Sequence, residues 1–149
     1  MFMNGAGGDN VEYQKNKRMT VEMLGSILDL AALTKHKIVF VGSESDWAVT
    51  LEGVRDLEDC ATPIIGDIRD CLYVMSNAKM IVANDTGLYH AATTMKVPVM
   101  VSDRVPNRPN GLPSVGIKSA NKSIEYVSER EWKGVLLSHT KKLAINSYI

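Results

Sequence analysis

Cysteine is scarce in these 149 residues: only Cys60 and Cys71 occur, and no histidine pair stands beside them at metal-ligand spacing. A disulfide framework and a structural zinc site are thereby excluded, and no cofactor is expected. Two free thiols suit a reducing compartment, so a cytoplasmic protein is the expectation. No apolar run approaches the roughly 18 residues of a membrane span, and the N-terminus lacks a signal-peptide pattern. Without a secretory route, the sequons at Asn84 and Asn121 read as accidental. Neither charge is in excess, with 17 basic and 17 acidic residues and no long run of one sign. That removes the electrostatic footprint of a nucleic-acid or anionic-surface binder. The cluster Lys15-Asn16-Lys17-Arg18 is a local exception. A nucleophile is also lacking: there is no Ser–His–Asp order and no close Cys–His arrangement, and His36 and His139 stand alone as surface residues.

What is present is enough chain for a single domain with a continuous core, residues 1–149, and not enough for a second. Apolar runs alternate with helical patterns, the mark of a parallel sheet with crossover helices. "MFM" predicts a first short strand. Thr20 then caps a helix with Val21, Leu24, Ile27, Leu28 and Ala31 at helical spacing to about Thr34, and Ile38 to Val41 of "KIVFVG" is a buried strand. "SESDWAVTLEGVRDLE" predicts a second helix, weakened at Gly53, and "TPIIG" a third strand. Asp67 and Asp70 open a helix with Ile68, Cys71, Leu72 and Met75 on one face. "KMIVAN", "TGLYHAATTM" and "VPVMVS" follow as strand, helix and strand. The fold class is α/β, an open, doubly wound, mainly parallel Rossmann-like sheet with helices on both faces. After Asp103, "RVPNRPNGLPSVG" reads as a long loop. Ser128 and Glu131 then form a capping box, with Val127 and Trp132 as hydrophobic staple, for a helix through about Leu143.

Such sheets bind ligands outside the carboxyl ends of their strands. Asp85, Thr86 and Gly87 fall where the fourth strand gives way to a helix, whose unpaired N–H groups favour an anion. In that helix Leu88, Ala91, Ala92 and Met95 must face the sheet, which leaves Thr86, His90, Thr93 and Thr94 on the other side. His90 is then placed to donate to the same anion. On spacing alone, Asp85 or Thr86 as a mere helix cap with His90 in solvent is an equal reading. "NGAGGDN" lacks the third glycine of a dinucleotide fingerprint, and no helix follows it at once. Lys17 and Arg18 border the crevice at the end of the first strand. Glu44 and Asp46, after the second, stand where nucleotide sites carry an acid on ribose hydroxyls, or where a helix N-terminus simply favours carboxylates.

These pieces resemble the C-terminal half of glycosyltransferase family 9, the ADP-heptose heptosyltransferases of lipopolysaccharide synthesis. "DTGLYHAAT" is similar to the family pattern D-[ST]-G-x-x-H-x-A-A, and "GDIRDCLYVMSNAKMIVAN" to the segment leading into it. "GAGGDNVEYQKNKRMTVE" resembles the family's Gly-Ala loop and Lys-Arg-Trp-Pro helix start, with Met19 in place of the tryptophan. "SDRVPNRPN" replaces the F-G-x-T segment after the fifth strand. The similarity runs from about Phe2 to Asp103. It implies the donor-binding half of a metal-independent, two-domain GT-B enzyme. Thr86, Gly87 and Leu88 would then hold the donor diphosphate through backbone groups, with Asp85 and His90 nearby. Lys17 would contact phosphate or sugar, and Glu44 or Asp46 the ribose.

The resemblance further implies that the acceptor half and its catalytic carboxylate are absent from this polypeptide, so that no catalytic residue is assigned. The expected function is a donor domain for a nucleotide-diphosphate sugar in a split, truncated or reduced transferase. The alternative is a non-catalytic binding or assembly module retaining the fold. Expected partners are the nucleotide sugar and an acceptor-domain chain or second copy, not nucleic acid or membrane.

Overall fold

A computed structural model describes residues 1–5, 11–84, 87–92, 94–102 and 124–146. In chain order the elements are α1 (Val11–Lys17), α2 (Val21–Thr34), β1 (Ile38–Gly42), α3 (Glu44–Gly53), α4 (Leu57–Cys60) and β2 (Ala61–Ile65). They continue as α5 (Ile68–Asn77), β3 (Ile81–Asn84), α6 (Gly87–Ala92), β4 (Val99–Ser102), β5 (Ile124–Val127) and α7 (Trp132–Asn146). β1 and β2 pair in parallel, Ile38 opposite Ala61. β3, β4 and β5 form a second parallel set, Ile81 opposite Val99 and Val99 opposite Ile124.

Phe2 joins the two sets. Its N–H donates to Val39 O at 2.8 Å and its carbonyl accepts from Val41 N at 3.0 Å, while Met3 N donates to Val82 O at 3.0 Å. Phe2 thus bridges Phe40 on one side and Val82 on the other. The order across the sheet is β2, β1, the Phe2 segment, β3, β4, β5. This is the doubly wound order whose switch point lies between the first segment and β3. The predicted α/β class with parallel strands is the one found.

The strand expected at "MFM" is reduced to this one bridge. Beyond Met3 the backbone is taken by side chains instead of a ladder: Arg18 donates to Asn4 O, and Asn84 Nδ2 to Gly5 O. A helix not expected after the glycine-rich stretch, α1, is short and polar, with Glu12 in its first turn and Lys15 and Lys17 in its last. Such a segment is helical only in tertiary context. β5 was hidden for a different reason, since four residues carry too few alternations to register as a strand. The stretch predicted as a loop after Asp103, with "NKS", lies outside the described residues.

Both faces of the sheet are covered. Phe2, Phe40, Val82 and Met100 pack under α2 and α7 with Met23, Leu24, Ile27, Trp132 and Leu136. Met3, Ile81, Ala83, Val99 and Val101 pack on the other face with Met75 of α5 and Ala92 of α6. Thr20 caps α2 as predicted, its Oγ1 accepting from Met23 N at 3.2 Å. The second predicted helix stops at Gly53, and Leu57, fully buried, begins a separate short turn of helix. Ile68 is 59% exposed, contrary to its predicted place beside Cys71 and Met75, because it opens α5 one turn before the first packed residue. α7 starts at Trp132, later than the capping box requires. Ser128 to Glu131 is instead a turn, closed by Glu131 N on Ser128 O at 3.1 Å. The staple residues Val127 and Trp132 do share the core.

Cys71 is buried and Cys60 exposed. Burial pushes the Cys71 thiol up, and the nearby Asp70 and Asp67 carboxylates push it further, against a weaker opposing hydrogen bond from its own backbone. Thiolate is the reactive form. A disulfide-exchange reagent is therefore expected to modify Cys60 in the folded protein and to reach Cys71 only on unfolding. Mass spectrometry of native and denatured samples checks this, and equal native labelling of both would contradict it.

Candidate functional site

Partners in a parallel ladder project to the same face. The row Phe40, Phe2, Val82, Met100 is therefore followed, one layer nearer the carboxyl ends, by Asn4, Asn84 and Ser102 on adjoining segments. These three polar residues are 2%, 0% and 2% exposed. They form one buried layer at the carboxyl ends of these segments, and their hydrogen bonding falls away across the row.

Asn4 is fully engaged. Its Oδ1 accepts from Met19 N at 2.7 Å and its Nδ2 donates to Thr50 Oγ1 at 3.2 Å. Thr50 in turn donates to Asp46 O at 2.8 Å. Arg18 closes the circuit, with Nη1 on Asn4 O at 2.6 Å and Nη2 on Asp46 Oδ1 at 2.9 Å. The Arg18 and Asp46 side chains are only 13% and 17% exposed, so this pair is charge-assisted and poorly screened. The end of the first segment, the start of α2 and the first turn of α3 are thereby locked together.

Asn84 does the same across the switch point. Its Nδ2 donates to Gly5 O and, at 3.2 Å, to Lys17 O, pinning the end of α1 to β3. Two carbonyl acceptors fix which end of the amide faces them, since only the NH2 can donate. Asn84 Oδ1 then points elsewhere and, like Ser102 Oγ, is buried without a hydrogen-bond partner among the described residues. Each such atom costs about 1–3 kcal/mol until a donor reaches it. Asn84 is also inaccessible as a sequon, as its burial requires.

Of the residues singled out from sequence, Asp85 and Thr86 lie outside the described residues. Gly87 and Leu88 open α6, three and four positions beyond the end of β3. Leu88, Ala91 and Met95 pack with buried Ala92 against the sheet, and His90 and Thr94 are exposed, so the predicted division into two faces holds for the described residues, Thr86 and Thr93 lying outside them. Lys17 is half-buried at the end of α1, on the same edge through its carbonyl bond to Asn84. Glu44 is exposed in the first turn of α3, just past β1. The structure thus brings Lys17, Glu44 and the start of α6 to one edge of the sheet.

Two readings change. Arg18, expected to border the crevice beside Lys17, spans Asn4 and Asp46, and Asp46, the second choice for a ribose contact, carries that ion pair. Glu44 is left as the acid exposed at the end of β1. Asn84 and Ser102 were missed altogether. Their signal was a polar residue closing each of two buried apolar strands, which periodicity alone treats as a strand end. His36, expected at the surface, is half-buried, its Nδ1 2.7 Å from Thr34 Oγ1, and His139 is half-buried on α7.

Compared with known protein families, residues 13–101 match glycosyltransferase family 9 (heptosyltransferase). The chain belongs to this family. The matched range holds all but the first two residues of α1, the Arg18–Asp46 pair, Asn84 and α6, and so most of the edge described above. Among solved structures, E. coli ADP-heptose LPS heptosyltransferase II is similar with a TM-score of 0.67 and 16% identity, over 99% of this chain and 46% of that one. The glycosyl transferase family 9 structure from Veillonella parvula DSM 2008 is similar with a TM-score of 0.65 and 17% identity, over 94% of this chain and 37% of that one. The family 9 chain described here therefore spans less than half the length of either structure, and the likeness is one of fold. No curated protein matches.

Proposed function

We propose that this family 9 domain binds the nucleotide-diphosphate sugar donor of a glycosyl transfer. The observation that carries the reading is the locked edge at the switch point, where Asn84 and Arg18 tie three chain segments together at the carboxyl ends of the strands. A crevice outside the carboxyl ends, at a topological switch, is where doubly wound sheets take nucleotides. Preorganised loops spare a ligand the cost of ordering them. Lys17 and His90 would meet the diphosphate, with the backbone of residues 86–88 as its cradle and Asp85 beside it. Glu44 would take the ribose hydroxyls.

Charge developing on the leaving diphosphate would be stabilised here. The base that activates the acceptor hydroxyl would come from a second domain or partner chain, so that this domain alone binds donor without transferring it. The setting would be the one named for the E. coli relative, heptosyl transfer to LPS, and the two free thiols favour a reducing, cytoplasmic compartment for it. Among the described residues no helix is long and apolar enough to cross a membrane.

A thermal-shift panel of nucleoside diphosphates and their sugars tests this. A ligand at 100 times its Kd adds about 2.7 kcal/mol of stability, roughly 5–10 °C for a chain of this length. His90→Ala is expected to weaken that ligand by about 1.5–3 kcal/mol by removing a hydrogen bond to a charged group, with the unliganded Tm nearly unchanged because His90 is exposed. A panel without a single shift would sink the reading. Equal affinity of wild type and His90→Ala would reduce the D-T-G-x-x-H motif to a strand–helix turn.

A further inference from the structure

At the other end of the sheet, a cavity of about 540 Å³ opens between α2, α5, α7 and the start of β1. Ile27, Leu30, Ala31, Val74 and Leu136 contribute its apolar wall. Close-packed interiors hold few voids larger than a water molecule, whereas small-molecule pockets occupy about 300–1,000 Å³. This space belongs to the second class.

Its charged lining is of one sign. Lys35, Lys37 and Lys79 are exposed at its edge, and no carboxylate is among the described residues that line it. The chain accepts a non-glycine left-handed residue to put them there: Lys35 has φ 58°, and its N–H bonds back to the last turn of α2, so that Lys35, His36 and Lys37 turn across the opening. His36 is held below its ordinary pKa by burial, then by Lys79 and the N-terminal amine, as a titratable group in a positive field should be.

We propose that this cavity binds a single-chain anionic amphiphile, a fatty-acyl carboxylate, with its chain against Ile27, Ala31, Val74 and Leu136 and its carboxylate among the three lysines. A small polar anion would gain nothing from the apolar wall. A neutral or cationic amphiphile would gain nothing from the lysines. A chain lying in this concave wall would be covered on one side by protein, which distinguishes the site from a flat surface that docks on a bilayer. The proposal is independent of the donor site, which lies at the opposite strand ends.

The test compares decanoate with decanol by calorimetry on the full chain, below the micellar concentration. Decanoate is expected to bind saturably, on the order of tenfold tighter than decanol or better. Lys37→Glu combined with Lys79→Glu, at exposed positions, should remove that advantage and leave decanol unchanged. Ala31→Trp, which fills the cavity, should abolish both. Failure of decanoate to bind, equal affinity for decanol, undiminished binding by the charge-reversed protein, or binding only to anionic vesicles would each overturn the proposal.

Discussion

Trp132→Ala is expected to lower the unfolding free energy by about 3–5 kcal/mol, a large share of the 5–15 kcal/mol typical of a whole domain. The indole is 1% exposed and is the largest of the fully buried side chains among the described residues. It lies in one core with Met23, Leu24 and Val127, and its Nε1–H reaches from α7 to Met23 O on α2 at 3.2 Å. Truncation removes the apolar contacts, leaves a cavity between two helices that cannot both collapse onto the sheet, and deletes a polar bond that sets α7 against α2. Trp132→Phe keeps part of the ring and should cost less. Urea unfolding checks this: the midpoint should fall with the slope unchanged. A loss under 1 kcal/mol would mean that α7 is only loosely docked.

Asn84→Asp is the second large effect, and it carries a pH signature. The substitution keeps the shape and replaces the one NH2 that serves both Gly5 O and Lys17 O with an oxygen. A carboxylate there is fully buried and faces two carbonyls, so desolvation and lost donation both favour its protonated form. Its folded pKa is raised above the unfolded value, and the sign follows. The penalty is present in full above the folded pKa and fades as pH falls towards the unfolded pKa of about 3.9. At neutral pH the loss should be about 2–4 kcal/mol, and the gap to wild type should narrow between pH 8 and pH 5. Asn84→Ala leaves the same carbonyls unpaired at about 1–3 kcal/mol, without that pH dependence. Denaturation of the three proteins at both pH values distinguishes the cases. A pH-independent gap for Asn84→Asp would show that the side chain at this position is neither desolvated nor held against the Gly5 and Lys17 carbonyls. On the proposed donor-binding reading, nucleotide affinity should fall in both variants with the tie to Lys17.

Much of the scaffold was legible before any coordinates. The alternation of apolar runs with helical patterns, the Thr20 cap and the division of "GLYHAA" into a packed face and an exposed His90 are all periodicities within a dozen residues. Side-chain geometry on a helix or strand converts each directly into a face. The family signature was legible for a related reason, since D-T-G-x-x-H is one contiguous stretch of sequence.

The residues that assemble the edge were not legible in that way. Asn84 meets carbonyls 67 and 79 positions away, and Arg18 meets a carboxylate 28 positions away. Nothing in the local pattern of either distinguishes a strand-end amide or a surface arginine from a structural tie. Asp46 looked like a ligand acid for the same reason, and Phe2 like an ordinary strand. By itself, the sequence determined most of the helices and strands, though not α1 or β5, most of the faces they bury, though not that of Ile68, and the family they belong to. Only the tertiary structure decided that Asn4, Asn84 and Ser102 share one buried layer, that the ion pair takes Asp46 and leaves Glu44 exposed, and that three lysines surround an apolar cavity. Those outcomes depend on which crossover lands beside which strand, a choice made by packing over the whole sheet that no window of the chain contains.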